Sequence, residues 1–375
     1  MKLIISTLVS LLFTGAFLSA QMPGMMTMQK ASAPQGTTLG ANTTSGAAGI
    51  ALGNRVVMRG FADFQFNYHT KTLKPDASTS ITDKDGSDFK TAGDIDFLFD
   101  FSPVTGEIHL NATNSNSISA STMRTDSLRD ATSIYETNAT TGNSVGLEQA
   151  FARYSFNRDF HVTFGRQLTS LAFEADEVTG LHTISHAYQT AGSSVHRGYN
   201  DGIRANFNNG RFGFILGLYD GYWTNDDFNA DKVGIDIAAS LMIVPGLEYR
   251  IGYAHNGTDN GGMSDNITQF NTWLSYNTGD LTLAIEYDKF DVQGSDIADV
   301  MLLASYQFSD FFAASLRYVY EDVELANVDT DRITLALLFD ITQNFALNFE
   351  YSHQAVNANS DYSINEIILQ GLLSF

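Results

Sequence analysis

The side chains with the clearest potential for metal or acid–base chemistry lie in one polar segment, residues 171–198. His182 and His186 stand four residues apart, and His196 follows them. If this segment were helical, the i, i+4 spacing would place both rings on one face, where they could bind a metal ion. No HExxH motif is present, and no serine–histidine spacing distinguishes a hydrolase. We interpret these residues as ordinary loop histidines, and the sequence predicts no metal centre, no cofactor and no catalytic residue.

Four methionines form a second group of side chains that could bind a metal, and all of them follow closely after residue 20: Met22, Met25, Met26 and Met28. Thioether ligands suit copper(I). Residues 21–54, however, are rich in Met, Gly, Ala and Thr and cannot bury enough apolar surface to offset the entropy of ordering. A flexible lead that happens to hold methionines is the simpler interpretation, and copper binding stays open.

Composition and the first residues narrow the class of protein. The 375-residue chain has no cysteine, which excludes a disulfide scaffold and thiolate metal sites. Its formal net charge is −21, from 42 acidic and 21 basic residues, which argues against a nucleic-acid partner. Residues 1–20 combine Lys2, an apolar run and Ala20, which predicts a cleaved signal peptide and an exported mature chain.

From residue 55 to residue 375, apolar and polar residues alternate, which predicts β-strands that each have one apolar face. Residues 304–320, ASYQFSDFFAASLRYVY, show two such strands on either side of Ser309 and Asp310. Tight turns alternate with longer polar loops along the chain, which predicts about 16 strands. All five prolines fall outside the predicted strands, as ladder hydrogen bonding requires.

The pattern favours a membrane barrel over a soluble sandwich. Nearly every strand has the same apolar face, and an up-and-down meander of this size can close and leave no unpaired edge, as lipid demands. A soluble core would not explain why rings flank the tight turns, where a membrane girdle would place them: Phe101, Phe156, Phe160, Phe207, Phe212, Tyr276, Phe308, Phe312, Phe339 and Phe345. We therefore predict an all-β, antiparallel transmembrane barrel with short periplasmic turns and longer extracellular loops.

Two segments carry a resemblance to a known family. The last predicted strand, IILQGLLSF, ends at Phe375, and residues 162–168 read VTFGRQL. With the signal peptide and the meander, they resemble Gram-negative outer-membrane general porins over roughly residues 55–375. The resemblance implies a water-filled channel for small hydrophilic solutes and a homotrimer in the outer membrane. It further implies contacts with lipid and lipopolysaccharide, and a role for Phe375 as the signal to the outer-membrane insertion machinery.

The resemblance also implies where the channel narrows. In general porins the third outer loop folds into the barrel, and residues 171–198 are the third long loop here. Glu174, Asp176 and Glu177 would then stand at the constriction and face arginines across the pore. A surface loop with ordinary acids is the alternative interpretation.

The polar face of the strands is expected to line the lumen. The predicted basic wall residues are Arg59, Arg153, Arg166, Arg204, Arg250 and Arg317, and the acidic ones are Asp94, Asp96, Asp100, Glu248 and Glu286. Arg166 falls on the lipid-facing phase unless Gly165 marks a β-bulge, which is the interpretation we favour. Several apolar residues share the inward phase. They would touch the inserted loop, narrow the pore, or indicate that the register of some predicted strands is wrong: Leu98, Phe151, Ile215, Met242, Trp273, Met301, Leu303 and Leu338.

The expected function is passive diffusion without catalysis. The acidic excess mildly favours cations, although much of it lies in loops that could instead hold metal-bridged lipopolysaccharide. Two alternatives stay open: a phosphate- or anion-selective porin that uses the lumen arginines, and a plugged barrel that serves as an outer-membrane enzyme or adhesin.

Overall fold

The fold is described from a computed structural model. It covers residues 49–73, 84–115, 142–188, 198–223, 233–256, 267–292, 294–358 and 361–375. The predicted signal peptide, the four methionines of the lead and His196 lie outside the described residues.

A closed barrel of 16 antiparallel strands forms the body of the protein. A two-residue strand, β1 (Ile50–Ala51), precedes them. The barrel strands are β2 (Val56–Leu73), β3 (Lys84–Phe101), β4 (Val104–Ser115), β5 (Gly142–Ser155), β6 (Phe160–Leu168), β7 (Tyr199–Asn208), β8 (Phe212–Tyr219), β9 (Gly234–Val244), β10 (Leu247–His255), β11 (Ile267–Thr278), β12 (Leu281–Val292), β13 (Ser295–Ser309), β14 (Phe312–Val323), β15 (Val328–Asp340), β16 (Phe345–Asn357) and β17 (Tyr362–Ser374). Short 3-10 helices occur at Val178–Gly180 and Glu324–Ala326. The predicted strand number and the up-and-down order are confirmed.

The first and last strands close the barrel. β17 pairs with β2 from Tyr362↔Leu73 to Ser374↔Phe61. Phe375 and Gly60 then exchange two backbone hydrogen bonds of 3.0 Å each, and the pairing of β1 with β2 follows beyond them along β2. Ile50 and Ala51 fall within residues 21–54, which are predicted to form the flexible lead. They form β1 instead because a tight connection, closed by the 2.8 Å bond from Leu52 N to Val56 O, folds them back on β2.

Side chains alternate between an apolar outer face and a polar inner face. Leu316, Leu335 and Leu369 face outward and are 52%, 42% and 49% exposed, whereas the inward neighbours Arg317 and Ala336 are 0% exposed. An apolar face of this extent is stable where hydrocarbon covers it, since apolar area in water costs about 25 cal/mol per Å². The described residues include no helix that is long and apolar enough to span a membrane.

Aromatic rings meet around the tight turns, as predicted. Phe308 and Phe312 flank the β13–β14 turn and stack with ring centroids 5.3 Å apart. Phe312 also stacks on Phe339 of β15 at 5.0 Å. These contacts run from strand to strand and form part of a girdle at one membrane interface.

Apolar residues on the inner face pack against a loop that enters the barrel. Trp273, Met301 and Leu303 form one buried cluster with Phe173 and Tyr188 of that loop, and the rings of Phe173 and Trp273 lie 5.6 Å apart, edge to face. Ile215 belongs to a second cluster, which contains Leu171 of the loop. The expectation that such inward residues touch an inserted loop is therefore confirmed for Trp273, and the other three wall residues share buried clusters with loop residues.

Candidate functional site: the lumen and its inserted loop

Residues 169–188, which we call the inserted loop, leave β6 and run inside the barrel. Wall residues of β7, β9 and β10 hold the first part of this course. Arg204 Nη1 donates to Leu168 O at 2.8 Å, and Arg250 Nη2 donates to Ser170 O at 2.7 Å. Ser170 Oγ donates to Asp236 Oδ2 at 2.7 Å. The wall thus satisfies both the carbonyls and the hydroxyl of a segment with no ladder of its own.

The loop then follows β11 and β12. Gln269 Nε2 donates to Leu171 O at 3.3 Å, and Phe173 N donates to Glu286 Oε1 at 2.7 Å. Tyr188, at the end of the described part, donates from its hydroxyl to the other oxygen of Glu286 at 3.2 Å. Glu286 therefore joins two separate points of the loop to one wall strand.

Arg317 of β14 is the centre of the loop attachment. Its side chain is fully buried, and its Nη1 lies 2.5 Å from Glu174 Oε1. The same atom donates to Thr183 Oγ1 at 2.6 Å and to Ser185 O at 2.8 Å, and Nη2 donates to His186 O at 2.9 Å. A planar guanidinium with several donors suits this role, because it binds a carboxylate and three backbone or hydroxyl oxygens together.

Two further wall residues complete this attachment. Glu350 of β16 accepts from Ile184 N at 2.6 Å, from Ser185 N at 3.1 Å and from the Ser185 hydroxyl. Arg332 of β15 donates to the carbonyl oxygens of His186 and Ala187. The turn of the loop at residues 183–187 is therefore bound from three adjacent strands.

The middle of the loop crosses to the opposite wall. Glu177 Oε1 lies 3.7 Å from Nδ1 of His109 on β4, and Tyr199 donates from its hydroxyl to Asp176 Oδ2 at 2.5 Å. His109 is fully buried between Asp96 and Glu107, each 2.9 Å from one of its ring nitrogens. The loop is thus attached to both sides of the barrel and divides the lumen.

Part of the lumen stays open to water beside the loop. The inward side chains of Gln65, Lys90 and Glu366 on β2, β3 and β17 keep intermediate exposure, and Glu248 on β10 does so farther along the wall. A water-filled path lined by polar groups and narrowed by a loop is the arrangement expected of a diffusion channel.

Comparison with known proteins also indicates a diffusion channel. Residues 111–366 match the family described as "Putative beta-barrel porin-2, OmpL-like". The chain belongs to this porin family. It is an outer-membrane channel for passive diffusion of small hydrophilic solutes, in the bacterial outer membrane. No curated protein matches the chain.

Solved structures share the fold of this porin. An anion-selective porin from Comamonas acidovorans is 16% identical with a TM-score of 0.56, over 85% of this chain and 99% of that chain. The outer membrane channel DcaP of Acinetobacter baumannii is 12% identical with a TM-score of 0.55, over 88% and 100%. Salmonella typhi OmpF is 13% identical with a TM-score of 0.55, over 85% and 98%. At these identities the likeness concerns the fold alone.

The three acids predicted at the porin constriction all lie on the inserted loop, but they differ in their partners. All three were predicted to face arginines, and Glu174 does contact one, Arg317. Asp176 and Glu177 instead meet Tyr199 and His109. After Glu174 the loop turns away from β14, which brings Asp176 to Tyr199 of β7 and Glu177 to His109 of β4.

Arg166 does not belong with the lumen arginines. The ladders of β6 with β5 and β7 pass through Gly165 without a register shift, so the predicted bulge is wrong. Arg166 therefore keeps the phase of the outward-facing Phe164, and its Nη1 pairs with Oδ2 of Asp201 on β7 at 2.9 Å. Gly165 adopts a positive φ of +120°, although the ladder keeps its register there.

The other predicted wall residues lie on the inward phase. Arg153, Arg204 and Arg250 are buried, as are Asp94 and Glu286, and Arg59 lies 4.0 Å from Asp96. Asp100 shares this phase, yet it is exposed at the strand end, where its carboxylate accepts from Ser102 N and Oγ. Sequence reasoning missed Glu148 and Tyr199. The adjacent polar residues Glu148 and Gln149 interrupt the period-two alternation of β5, and this was the available signal for the first.

Proposed function

We propose that this porin passes small cations in preference to anions and that the inserted loop forms its constriction, with Glu174, Asp176 and Glu177 along it. The observation that carries the proposal is the charge of the inner wall. On the described strands the inward acids exceed the inward lysines and arginines. The acids include Asp63, Asp94, Asp96, Glu107, Asp236, Glu248, Glu286, Asp288, Asp299, Glu321, Glu350 and Glu366, and the basic residues include Arg59, Lys71, Lys90, Arg153, Arg204, Arg250, Arg317 and Arg332.

The contacts of the arginines strengthen this proposal. Arg250 and Arg332 donate to loop carbonyls, Arg204 donates to the carbonyl of Leu168 at the end of β6, and Arg317 is paired with Glu174. Guanidinium groups used in this way have fewer donors left for a passing anion. Half-exposed Glu366 and Glu248 stay on the open side, where a carboxylate can attract a hydrated cation.

An anion-selective channel is the second candidate, and one observation favours it. Arg153 of β5 and Arg204 of β7 both lie opposite Thr163 of the strand between them, β6. One structural neighbour is described as an anion-selective porin. The open path would have to follow these arginines for anions to prevail.

The reversal potential in a planar bilayer with a KCl gradient distinguishes the candidates. We expect the sign that corresponds to K⁺ passing more readily than Cl⁻, because the wall carries excess negative charge. Glu366→Gln should reduce this preference, since it removes a half-exposed lumen carboxylate.

Asp331→Asn is the matched control, because Asp331 lies in the outward phase of β15 and accepts from the Tyr318 hydroxyl. It should leave the reversal potential unchanged. A potential of the opposite sign would reject cation preference, and the absence of conductance steps in the refolded protein would point to a plugged barrel, an enzyme or an adhesin. We propose that the protein acts without catalytic turnover.

We further propose a homotrimer. One structural neighbour, 12% identical with a TM-score of 0.50, is an OmpT of Vibrio cholerae solved in a trimer form. The outward-phase ion pair of Arg166 with Asp201 is poorly suited to hydrocarbon and would suit a contact between subunits. Light scattering of the detergent-solubilised protein should give three times the mass of one chain, and a monomer mass would contradict the proposal.

Phe375 as the insertion signal and the lipopolysaccharide contacts stay predictions.

A further inference from the structure

A buried group of carboxylates lies where the inserted loop meets β3 and β5. Asp94 of β3, Glu148 of β5 and Glu177 of the loop each place one carboxylate oxygen within 4.8 Å of the others. Asp94 is 1% exposed and Glu177 is 6% exposed. Three carboxylates this close in a buried place repel one another unless protons or a cation lie between them.

His109, which lies beside this group, is in contact with other acids. Its Nδ1 is 2.9 Å from Asp96 Oδ1, and its Nε2 is 2.9 Å from Glu107 Oε2. Both ring nitrogens are therefore already in contact with carboxylate oxygens. The Nδ1 atom also lies 3.7 Å from Glu177 Oε1. One ring, which can hold at most one positive charge, therefore faces three acids and cannot also balance Asp94 and Glu148.

A second observation points to a ligand at this place. Neither carboxylate oxygen of Asp94 accepts a hydrogen bond from a protein donor, and Oε2 of Glu177 accepts none either. The neighbour within hydrogen-bond reach of Asp94 is another carboxylate, that of Glu148. A buried polar atom left without a partner costs about 1–3 kcal/mol, more when it is charged. The Asp94 side chain is directed at the other two carboxylates, where a positive ion would satisfy all of these atoms.

The backbone of β5 is shaped to supply the third carboxylate. The ladder with β4 pairs Gln149 with His109 and Leu147 with Leu110, and this register shift leaves Glu148 as an extra residue. A bulge of this kind redirects one side chain. Glu148 accordingly reaches the lumen group, beside the inward Gln149, although Leu147 faces outward.

We propose that Asp94, Glu148 and Glu177 bind a hard divalent cation of the Ca²⁺ class, which fastens the inserted loop to β3 and β5. Carboxylate oxygens without a nitrogen or sulfur ligand select such ions over zinc or copper. Oxygens on opposite sides of one Ca²⁺ are about 4.8 Å apart, and water can complete its flexible coordination. The ion would hold the loop on the side opposite to Arg317, and so fix the width of the open path.

Terbium luminescence tests the site directly, because Tb³⁺ replaces Ca²⁺ and is excited through nearby tyrosine. Tyr199 is close enough to Glu148 for a side-chain hydrogen bond. The refolded full chain should bind Tb³⁺ and release it when Ca²⁺ is added. Asp94→Asn and Glu177→Gln should weaken binding about tenfold or more. Asp63→Asn, which removes a buried inward acid on β2, should leave it unchanged.

A measurement on the unaltered protein keeps the test independent of variant folding. Ca²⁺ should raise the thermal melting temperature relative to EGTA, and EGTA should make the single-channel current noisier as the loop loosens on one side. If Tb³⁺ does not bind, or binds equally in the Asp94 and Glu177 variants, or if Ca²⁺ and EGTA give one melting temperature, the proposal is wrong and shared protons neutralise the group. The reversal potential measured in EGTA reports ion preference separately, so either proposal can fail alone.

Discussion

Arg317→Ala is expected to enlarge the single-channel conductance and to lower the heat stability of the barrel. The guanidinium is fully buried and joins β14 to Glu174, Thr183, Ser185 and His186 of the inserted loop. Its removal takes the cation away from the buried Glu174 carboxylate, which keeps the hydrogen bond from Ala187 N at 2.7 Å. Loss of one member of a buried ion pair costs about 3–5 kcal/mol. A loop released from this wall would occupy more than one position, so conductance should rise and fluctuate. Planar-bilayer recording and thermal unfolding in detergent measure the two effects.

Arg158→Ala is the control for this prediction. Arg158 lies in a tight turn with a side chain that is 91% exposed, and its pair with Asp159 is a surface contact. Such pairs contribute about 0–1 kcal/mol, so neither conductance nor melting temperature should change appreciably. A variant at position 317 with unaltered conductance and stability would show that the other wall contacts suffice to hold the loop.

Leu335→Arg is expected to destabilise the inserted barrel by about 2–4 kcal/mol. Leu335 lies in the middle of β15, faces outward and is 42% exposed, so in the membrane its side chain contacts acyl chains. A guanidinium there has neither water nor a counter-ion within the hydrocarbon. Urea-dependent refolding into lipid vesicles measures the change in the free energy of unfolding.

Gln65→Arg places the same side chain on the wet face. Gln65 is inward on β2 with intermediate exposure, beside the open path. The cost there should be small, and the reversal potential should move toward anions instead. Equal destabilisation by the two arginines would contradict the assignment of an oily outer face and a wet inner face.

The period-two alternation predicts the architecture well because each residue's polarity depends only on which face of its own strand it occupies. Each strand must present apolar groups to lipid and polar groups to water, as Leu316 and Arg317 show in adjacent positions. Strand number and direction follow from counting turns. The positions of Glu174 and Arg317 are also predictable in part, because family resemblance places the loop and alternation places the arginine.

The partners across the lumen were not predictable in the same way. Which acid meets Arg317, and which meets His109, depends on where the loop turns inside the barrel, and no local pattern encodes that course. The prediction that Arg166 lines the lumen was wrong for a related reason. A glycine inside a strand suggests a bulge, but Gly165 adopts a positive φ while the ladder keeps its register. The actual bulge, at Glu148, has no glycine to mark it.

The pairing of β17 with β2 has a consequence for biogenesis. These two strands lie at opposite ends of the polypeptide, yet they are neighbours in the sheet, and Phe375 itself completes the bonding to Gly60. The seam cannot form while the last strand is still being made or exported. Since β17 pairs with β2, the whole chain has to reach the membrane before the barrel can close. Contacts this distant in sequence also form slowly. Until closure, the unpaired edges of β2 and β17 have to be shielded from other strands.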